Sequence, residues 1–321
     1  MARIQSVNHN EKRLHRFNHQ LRKKQRTKQG KPMADSNTIL IAGATGTNGR
    51  ALTSRLATAG HSVRALVRNK QSAQSLAQPN VELFEGDLND PTSLEAAFEN
   101  VDRAFIATAI VPNTIELFQN FYDAAKKTGG AHIVKFSALG AGNNATSIIQ
   151  RQHTESDEAL MASGLPYTIL RPNSFYQNML WSAESIKATG QFYLPFEDAK
   201  QSLVDVQDLA EVAFQAFMST EHQGKVYELT GPQGLSYHDV AQQLSTVIGK
   251  PVTYVPVPNE AAMQGMVESG MPEWTAEAIA ELYSEFANGS YASTNQNIQK
   301  ITGKRATTFT AWANENKSAF L

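Results

Sequence analysis

Three glycines spaced G-x-x-G-x-x-G, Gly43, Gly46 and Gly49, follow directly on the apolar run Ile39-Leu40-Ile41-Ala42. A helical pattern begins at once, with Leu52, Leu56 and Ala57 on one face. Strand, glycine turn and helix in that order open a dinucleotide-binding unit, and a unit of that kind needs a parallel sheet to sit in. Gly43 allows the tight turn out of the strand, Gly46 has no side chain to hold a pyrophosphate away from the backbone, and Gly49 lets the helix approach closely. The first helical turn exposes unpaired N–H groups with partial positive charge, which stabilise an anion. An ordinary βα loop is the alternative, and the position behind a buried-type strand favours the nucleotide reading.

The rest of the chain fits. Strand patterns at Ser62–Val67, Val81–Glu85, 103–107, 131–137 and 167–171 alternate with helical patterns near 71–77, 94–98, Thr114–Lys127 and 147–163. Strands separated by helices imply right-handed crossovers and a parallel sheet covered on both faces. The expected fold is α/β, a doubly wound parallel Rossmann sheet with a smaller C-terminal α/β lobe. Beyond Pro172 the alternation loosens, with short strands at 201–206 and 226–229 and helices at Val206–Met218, Tyr237–Ile248, 274–286 and a terminal piece at 309–320. The Rossmann core is expected at about 37–172 and the substrate or partner lobe at about 173–321.

Residues 1–36 read as an addition to that domain. Residues 1–31 hold ten Lys and Arg and one acid, Glu11, whereas the remaining chain has 19 Lys and Arg against 29 Asp and Glu. The body is therefore acidic, which argues against a nucleic-acid surface there. The basic segment fits a targeting presequence, a basic arm, or a plain reading as either a disordered tail or upstream translation before a true start at Met33; the plain reading is favoured. His9, His15 and His19 lack partners for a metal site. The chain has no cysteine, so disulfides, thiolate nucleophiles and Cys-based metal centres are excluded, and a reducing, cytoplasmic setting is compatible. No apolar run approaches the ~18 residues of a membrane helix. The basic extension leaves organelle targeting open.

Several side chains could touch a nucleotide. Arg68 ends the second strand, in a region where an NAD-preferring site commonly has an acid. Its guanidinium offers a fork for a 2′-phosphate, so NADP(H) is favoured over NAD(H). Asp87, in Glu85-Gly86-Asp87-Leu88, could accept from the adenine amino group while Leu88 covers the ring; a turn or capping role is the competing one. Thr108, past the fourth strand, lies where the nicotinamide-side ribose should pass.

The chain resembles the NmrA-like family, atypical members of the short-chain dehydrogenase/reductase superfamily. The motifs that carry the resemblance are Gly43-Ala44-Thr45-Gly46-Thr47-Asn48-Gly49, Arg64-Ala65-Leu66-Val67-Arg68, Glu85-Gly86-Asp87-Leu88, Phe136-Ser137-Ala138-Leu139-Gly140 and Leu170-Arg171-Pro172-Asn173-Ser174-Phe175-Tyr176-Gln177-Asn178. It implies pyrophosphate contacts from Gly43 through Asn48, 2′-phosphate contact by Arg68, adenine contact by Asp87 and Leu88, Thr108 along the cofactor, and Phe175 and Asn178 at the nicotinamide end. The family contains NADPH-dependent reductases of quinones and related acceptors, and NADP-binding redox sensors that act through a regulatory protein partner. A small-molecule acceptor such as a quinone is the leading partner, and a homodimer is compatible.

Catalysis is where the chain departs from its superfamily. Typical members pair a Ser on the fifth strand with a Tyr-x-x-x-Lys on the next helix. Ser137 stands in the first position, but the helix reads Gln150-Arg151-Gln152-His153-Thr154-Glu155-Ser156-Asp157. The formal match Tyr122-Asp123-Ala124-Ala125-Lys126 is on the wrong helix. His153, with an ordinary pKa of ~6.5, is the candidate proton donor near neutrality, against a packing role beside the cofactor. Lys135 is a second candidate. His222 and His238 read as surface or capping residues, and Asp205 and Asp208 as helix starters. A quinone that takes hydride becomes a stabilised phenolate, so a missing Tyr costs it less than it costs a ketone.

Overall fold

The computed structural model describes residues 38–321; the readings made for residues 1–36 lie outside them. Seven parallel strands form the main sheet, in the order β3-β2-β1-β4-β5-β6-β9. They are β1 Thr38–Ala42, β2 Ser62–Val67, β3 Val81–Glu85, β4 Arg103–Ile106, β5 His132–Phe136, β6 Tyr167–Pro172 and β9 Lys225–Leu229. The chain runs outward from β1 to β3, returns to β4 beside β1, and continues to β9, so the strand order reverses between β1 and β4. In an open α/β sheet that switch point is where a crevice forms at the carboxyl ends of the strands.

The helices on the main sheet are α1 Thr47–Thr58, α2 Pro91–Ala97, α3 Thr114–Lys127, α4 Ile148–Ala162 and, further along, α6 Val206–Met218. Period-two alternation assigns the strand residues to the two faces. Ile39 and Ile41 join α1 residues Leu52 and Leu56 and α6 residues Leu209 and Phe217 in one core. Leu40 and Ala42 join Leu94, Phe98, Phe118, Phe121 and Leu160 in the other. Both faces are covered, which is why these strands tolerate unbroken apolar runs.

The remaining elements are α5 Ala183–Thr189, β7 Gln191–Leu194, β8 Lys200–Gln201, β10 Leu235–Ser236, α7 Tyr237–Ile248, β11 Thr253–Pro256, α8 Asn259–Glu268, α9 Glu273–Ala287, α10 Asn297–Thr302 and α11 Phe309–Glu315. A third core joins Tyr176, Phe192, Tyr237, Leu244, Phe309, Trp312 and Phe320. β7 pairs with β11 in parallel and β8 with β10 antiparallel.

Several expectations change here. β9, from beyond Pro172, is the seventh strand of the main sheet, so the sheet draws on both sequence segments. The expected strand at 201–206 is only Lys200–Gln201, because the Asp205 carboxylate accepts from the Gln207 N–H and starts α6 at Val206. The expected helix at 71–77 is a single 3₁₀ turn, Gln74–Leu76. β7 and β11 carried too few residues to stand out in sequence. His222 is not a surface residue: it is buried, and its Nδ1 lies 3.0 Å from the Tyr227 hydroxyl.

Candidate active site

The three glycines differ in what the fold asks of them. Gly43 has φ +79°, and a Cβ there would lie 2.2 Å from the carbonyl oxygen of Ala107, just past β4. A Cβ on Gly49 would lie 2.2 Å from the Gly43 carbonyl oxygen. These two positions are closed by the protein's own backbone at the junction of β1 and β4. Gly46 is the N-cap of α1, with φ −74° and ψ 168°, ordinary extended values. A Cβ there would meet only the Gly43 oxygen, at 3.4 Å, an ordinary contact. The fold does not require glycine at 46, so the open space in front of it suits an external group.

That space faces the start of a helix. No side chain caps α1 and its first turn holds no acid, so its free N–H groups favour an anion. Asn48 in the same turn has a buried Oδ1 with no hydrogen-bond partner. A buried acceptor without a donor is costly in isolation, and a ribose or amide donor of a bound nucleotide would satisfy it. Ala44 is buried in the core, and Thr45 and Thr47 are exposed around the opening. On these observations the turn fits a dinucleotide.

The other expected contacts lie at the carboxyl ends of neighbouring strands. Arg68, directly after β2, is exposed, and no ion pair involves it among the described residues. Its charge reaches Asp87, after β3. The Asp87 carboxyl is held lower than an ordinary aspartate, chiefly because its Oδ1 accepts the Asn89 backbone N–H at 2.8 Å, with the Asn89 amide and Arg68 adding to this. It is therefore an ionised acceptor. Leu88 is half-buried against the core, and Thr108 is half-buried after β4. Phe175 packs on the core and bridges Val204, while Asn178 sits in the 3₁₀ segment Tyr176–Ser182.

Around Ser137 the structure brings together a cluster that sequence reasoning only half found. Alternation along β5 puts Lys135 on the same face as Ile133, toward α3 and α4. Asp157 of α4, buried, accepts from Lys135 Nζ at 2.5 Å, from Ser137 Oγ at 2.8 Å and from Arg171 Nε at 3.0 Å. Lys135 is fully enclosed, its Nζ 4.3 Å from the Phe118 ring centroid and 3.5 Å from His153 Nδ1. Burial lowers the Lys135 pKa to about 8, with Asp157 working against the shift. Two cations thus share one buried carboxylate.

This corrects both catalytic expectations. Lys135 cannot touch an acceptor, because no part of its side chain is exposed. His153 does not keep an ordinary pKa: burial and then the charges of Lys135 and Arg171 push it well below 6.5, so it is neutral at pH 7. Asp157 and Arg171 were the residues missed. The available signal was Lys135 itself, since a lysine inside the apolar strand Ile133-Val134-Lys135-Phe136 demands a buried counter-charge. Tyr122 is no acid here: it is buried, and its hydroxyl donates to the Ser156 carbonyl at 3.3 Å.

One flank of the strand ends is apolar. Ile110, Ile148, Ile149, Met266, Met271, Trp274 and Ile279 form a cluster where α8 and α9 meet the β4–α3 loop and the start of α4. Thr275 Oγ1 donates to the Ile110 carbonyl at 3.2 Å, and Glu281 accepts the Ile148 N–H at 2.8 Å. Among the described residues no group of three or more His, Asp or Glu could hold a metal, and no helix is long and apolar enough to cross a membrane.

The model of the NmrA-like family matches residues 35–314. The chain belongs to this family. An NAD(P)H azoreductase of Xenophilus azovorans is 36% identical over 282 residues, which cover 88% of this chain and 99% of that protein. A crystal structure of the NADPH-dependent quinone oxidoreductase QOR2 of Escherichia coli complexed with NADPH superposes with a TM-score of 0.77 at 27% identity, covering 87% of this chain and 99% of the other. The Citrobacter sp. triphenylmethane reductase complexed with NADP(H) gives a TM-score of 0.76 at 27% identity, covering 88% and 99%.

Proposed function

We propose that this NmrA-like protein binds NADPH and reduces quinones or similarly activated acceptors. Gly43, Ala44, Thr45, Gly46, Thr47, Asn48 and Gly49 would hold the pyrophosphate at the α1 N-terminus. Arg68 would select the 2′-phosphate, Asp87 and Leu88 the adenine, and Thr108, Phe175, Asn178 and His153 would flank the nicotinamide end. When bound, the nicotinamide supplies a hydride.

The observation that carries the choice of acceptor is the direction of the Ser137 hydroxyl. It donates inward to Asp157, at 2.8 Å, and no Tyr-x-x-x-Lys stands on α4. An acceptor that becomes an alkoxide needs a positioned acid of near-neutral pKa. None is on offer, since His153 is uncharged and Lys135 is enclosed. Acceptors that spread the arriving negative charge over a conjugated system need no such acid. The apolar flank of Ile110, Met266, Met271 and Trp274 suits a flat, conjugated ring. The azoreductase, quinone oxidoreductase and triphenylmethane reductase relatives act on acceptors of this description.

A chain without cysteine suits a reducing, cytoplasmic setting. We assign the segment from 173 onward to acceptor binding, with β9 and α6 completing the core. The test is NADPH absorbance followed with a panel of quinones and azo compounds, with aliphatic ketones as controls. The conjugated acceptors should be turned over and the ketones should not. Tight NADPH binding with no turnover across the panel would replace this reading by a sensor that signals NADP(H) occupancy to a protein partner.

A further inference from the structure

We infer that Lys135 and Asp157 are positioning residues that hold His153 as a neutral imidazole with its proton on Nε2, so the site offers a fixed hydrogen-bond donor instead of a titrating acid. What that donor meets in the cleft rests on the reductase reading above; the lock itself rests on contacts inside the protein.

The Lys135 ammonium has three hydrogens and no lone pair. One hydrogen goes to Asp157 Oδ1 at 2.5 Å. The ammonium also lies over the Phe118 ring, 4.3 Å from its centroid, a favourable cation–π arrangement. His153 Nδ1 lies 3.5 Å away on a further side. A proton on Nδ1 would point at a positive group that can only donate, so Nδ1 must present its lone pair. In a neutral imidazole the proton is then on Nε2.

Asp157 keeps the ammonium where it is. Its other oxygen, Oδ2, accepts from both Ser137 and Arg171, so the carboxylate cannot swing away without leaving three donors unpaired. A second proton on His153 is opposed by burial and by the charges of Lys135 on β5 and Arg171 on β6, and α3 presents the Phe118 ring to it. Among the described residues the anion of this cluster is Asp157, on α4 itself, and it is already shared between two cations. His153 is only partly buried, and with Nδ1 turned to Lys135 we assign the Nε2 edge to the cleft. Facing an acceptor oxygen or a ribose hydroxyl, it donates a hydrogen bond and keeps its proton, and its behaviour does not change across neutral pH.

The test uses full-length protein labelled with ¹⁵N-histidine, in which long-range ¹H–¹⁵N spectra report the protonation of each ring nitrogen. H153Q assigns the resonance. The wild type should show His153 as the Nε2–H tautomer with no titration between about pH 6 and 7, against ~6.5 for a free imidazole. At higher pH its Nδ1 resonance should move with a midpoint of about 8, as Lys135 loses its charge. In K135M the Asp157 carboxylate still pairs with Arg171 and Ser137, so no buried anion is stranded. There the tautomers should mix and His153 should titrate closer to its ordinary value. A wild-type Nδ1–H signal, titration of His153 within that neutral range, or a K135M spectrum identical to wild type would each overturn the lock. Should K135M fail to fold, the wild-type movement at higher pH decides the part played by Lys135, and a static Nδ1 resonance overturns it. None of these readings needs turnover, so a protein that oxidises no NADPH would sink the reductase reading and leave the lock to be judged on its own spectra.

Discussion

Replacing Gly46 and Gly49 one at a time by alanine should separate binding from folding. At Gly49 the added methyl carbon would lie 2.2 Å from the Gly43 carbonyl oxygen, 2.7 Å from its carbon and 2.8 Å from Ala44 Cα. All three are backbone atoms at the β1–β4 junction, so nothing flexible can yield. Overpacking of this kind costs roughly 1–3 kcal/mol or more, and each kcal/mol lowers Tm by about 2–4 °C in a chain of this size. At Gly46 the backbone angles are ordinary and the contact is 3.4 Å. Alanine loses less chain entropy on folding, a gain of about 0.4–1 kcal/mol, while it is a poorer N-cap than glycine by a similar amount. Stability should therefore stay within about 1 kcal/mol of wild type. The methyl group would stand between a phosphate and the α1 amides, and a lost charge-assisted hydrogen bond of about 1.5–3 kcal/mol weakens Kd by roughly 10- to 100-fold. Thermal unfolding and calorimetric titration with NADPH read the two effects. Should Gly46→Ala bind NADPH as wild type does, or unfold as readily as Gly49→Ala, the distinction between a glycine kept for the fold and one kept for a ligand is wrong.

Arg68→Ala should narrow the preference for NADPH over NADH by about tenfold or more, since a charge-assisted contact to the 2′-phosphate is lost; an unchanged affinity ratio removes Arg68 from that role. Asp157→Ala strands Lys135 and Arg171 without their shared anion and should cost about 3–5 kcal/mol of stability, seen in denaturant unfolding; a loss below about 1 kcal/mol would mean the cluster is not electrostatically coupled. His132, buried with Nε2 3.0 Å from Thr168 Oγ1, has its pKa lowered from 6.5 to about 4, mainly by burial and also by Arg103. Its folded pKa lies below the unfolded one, so its stabilisation is complete above about pH 6.5 and is lost as pH falls toward 4. In H132N that part of the acid dependence of unfolding should vanish, and a pH profile identical to wild type would refute the assignment.

Local signals carried the first half of the molecule. Ile39 to Ala42 followed by the glycine turn, the unbroken apolar strands and the helix at Thr114–Lys127 each declare themselves within a dozen residues, because burial on two faces leaves a pattern in the neighbours themselves. The short β7 and β11 escaped notice because each is stabilised by the other across some sixty positions of chain. β9 reads as a strand in sequence, but nothing in Lys225–Leu229 states that it will lie beside β6.

The site divides along the same line. The sequence alone determined the parallel sheet, the helix N-terminus open to an anion, the basic residue after β2 and the missing Tyr-x-x-x-Lys, all of which depend on residue type at fixed spacing. Only the tertiary structure decided that Gly46 is spared by the fold, that Ser137 turns inward, and that Lys135 is enclosed. The first depends on how the β1–α1 turn packs, and the other two on which side chains of β5, β6 and α4 converge on Asp157. Charge state there follows from burial and from partners 14 to 22 positions away along the chain, a distance over which residue spacing carries no electrostatic information.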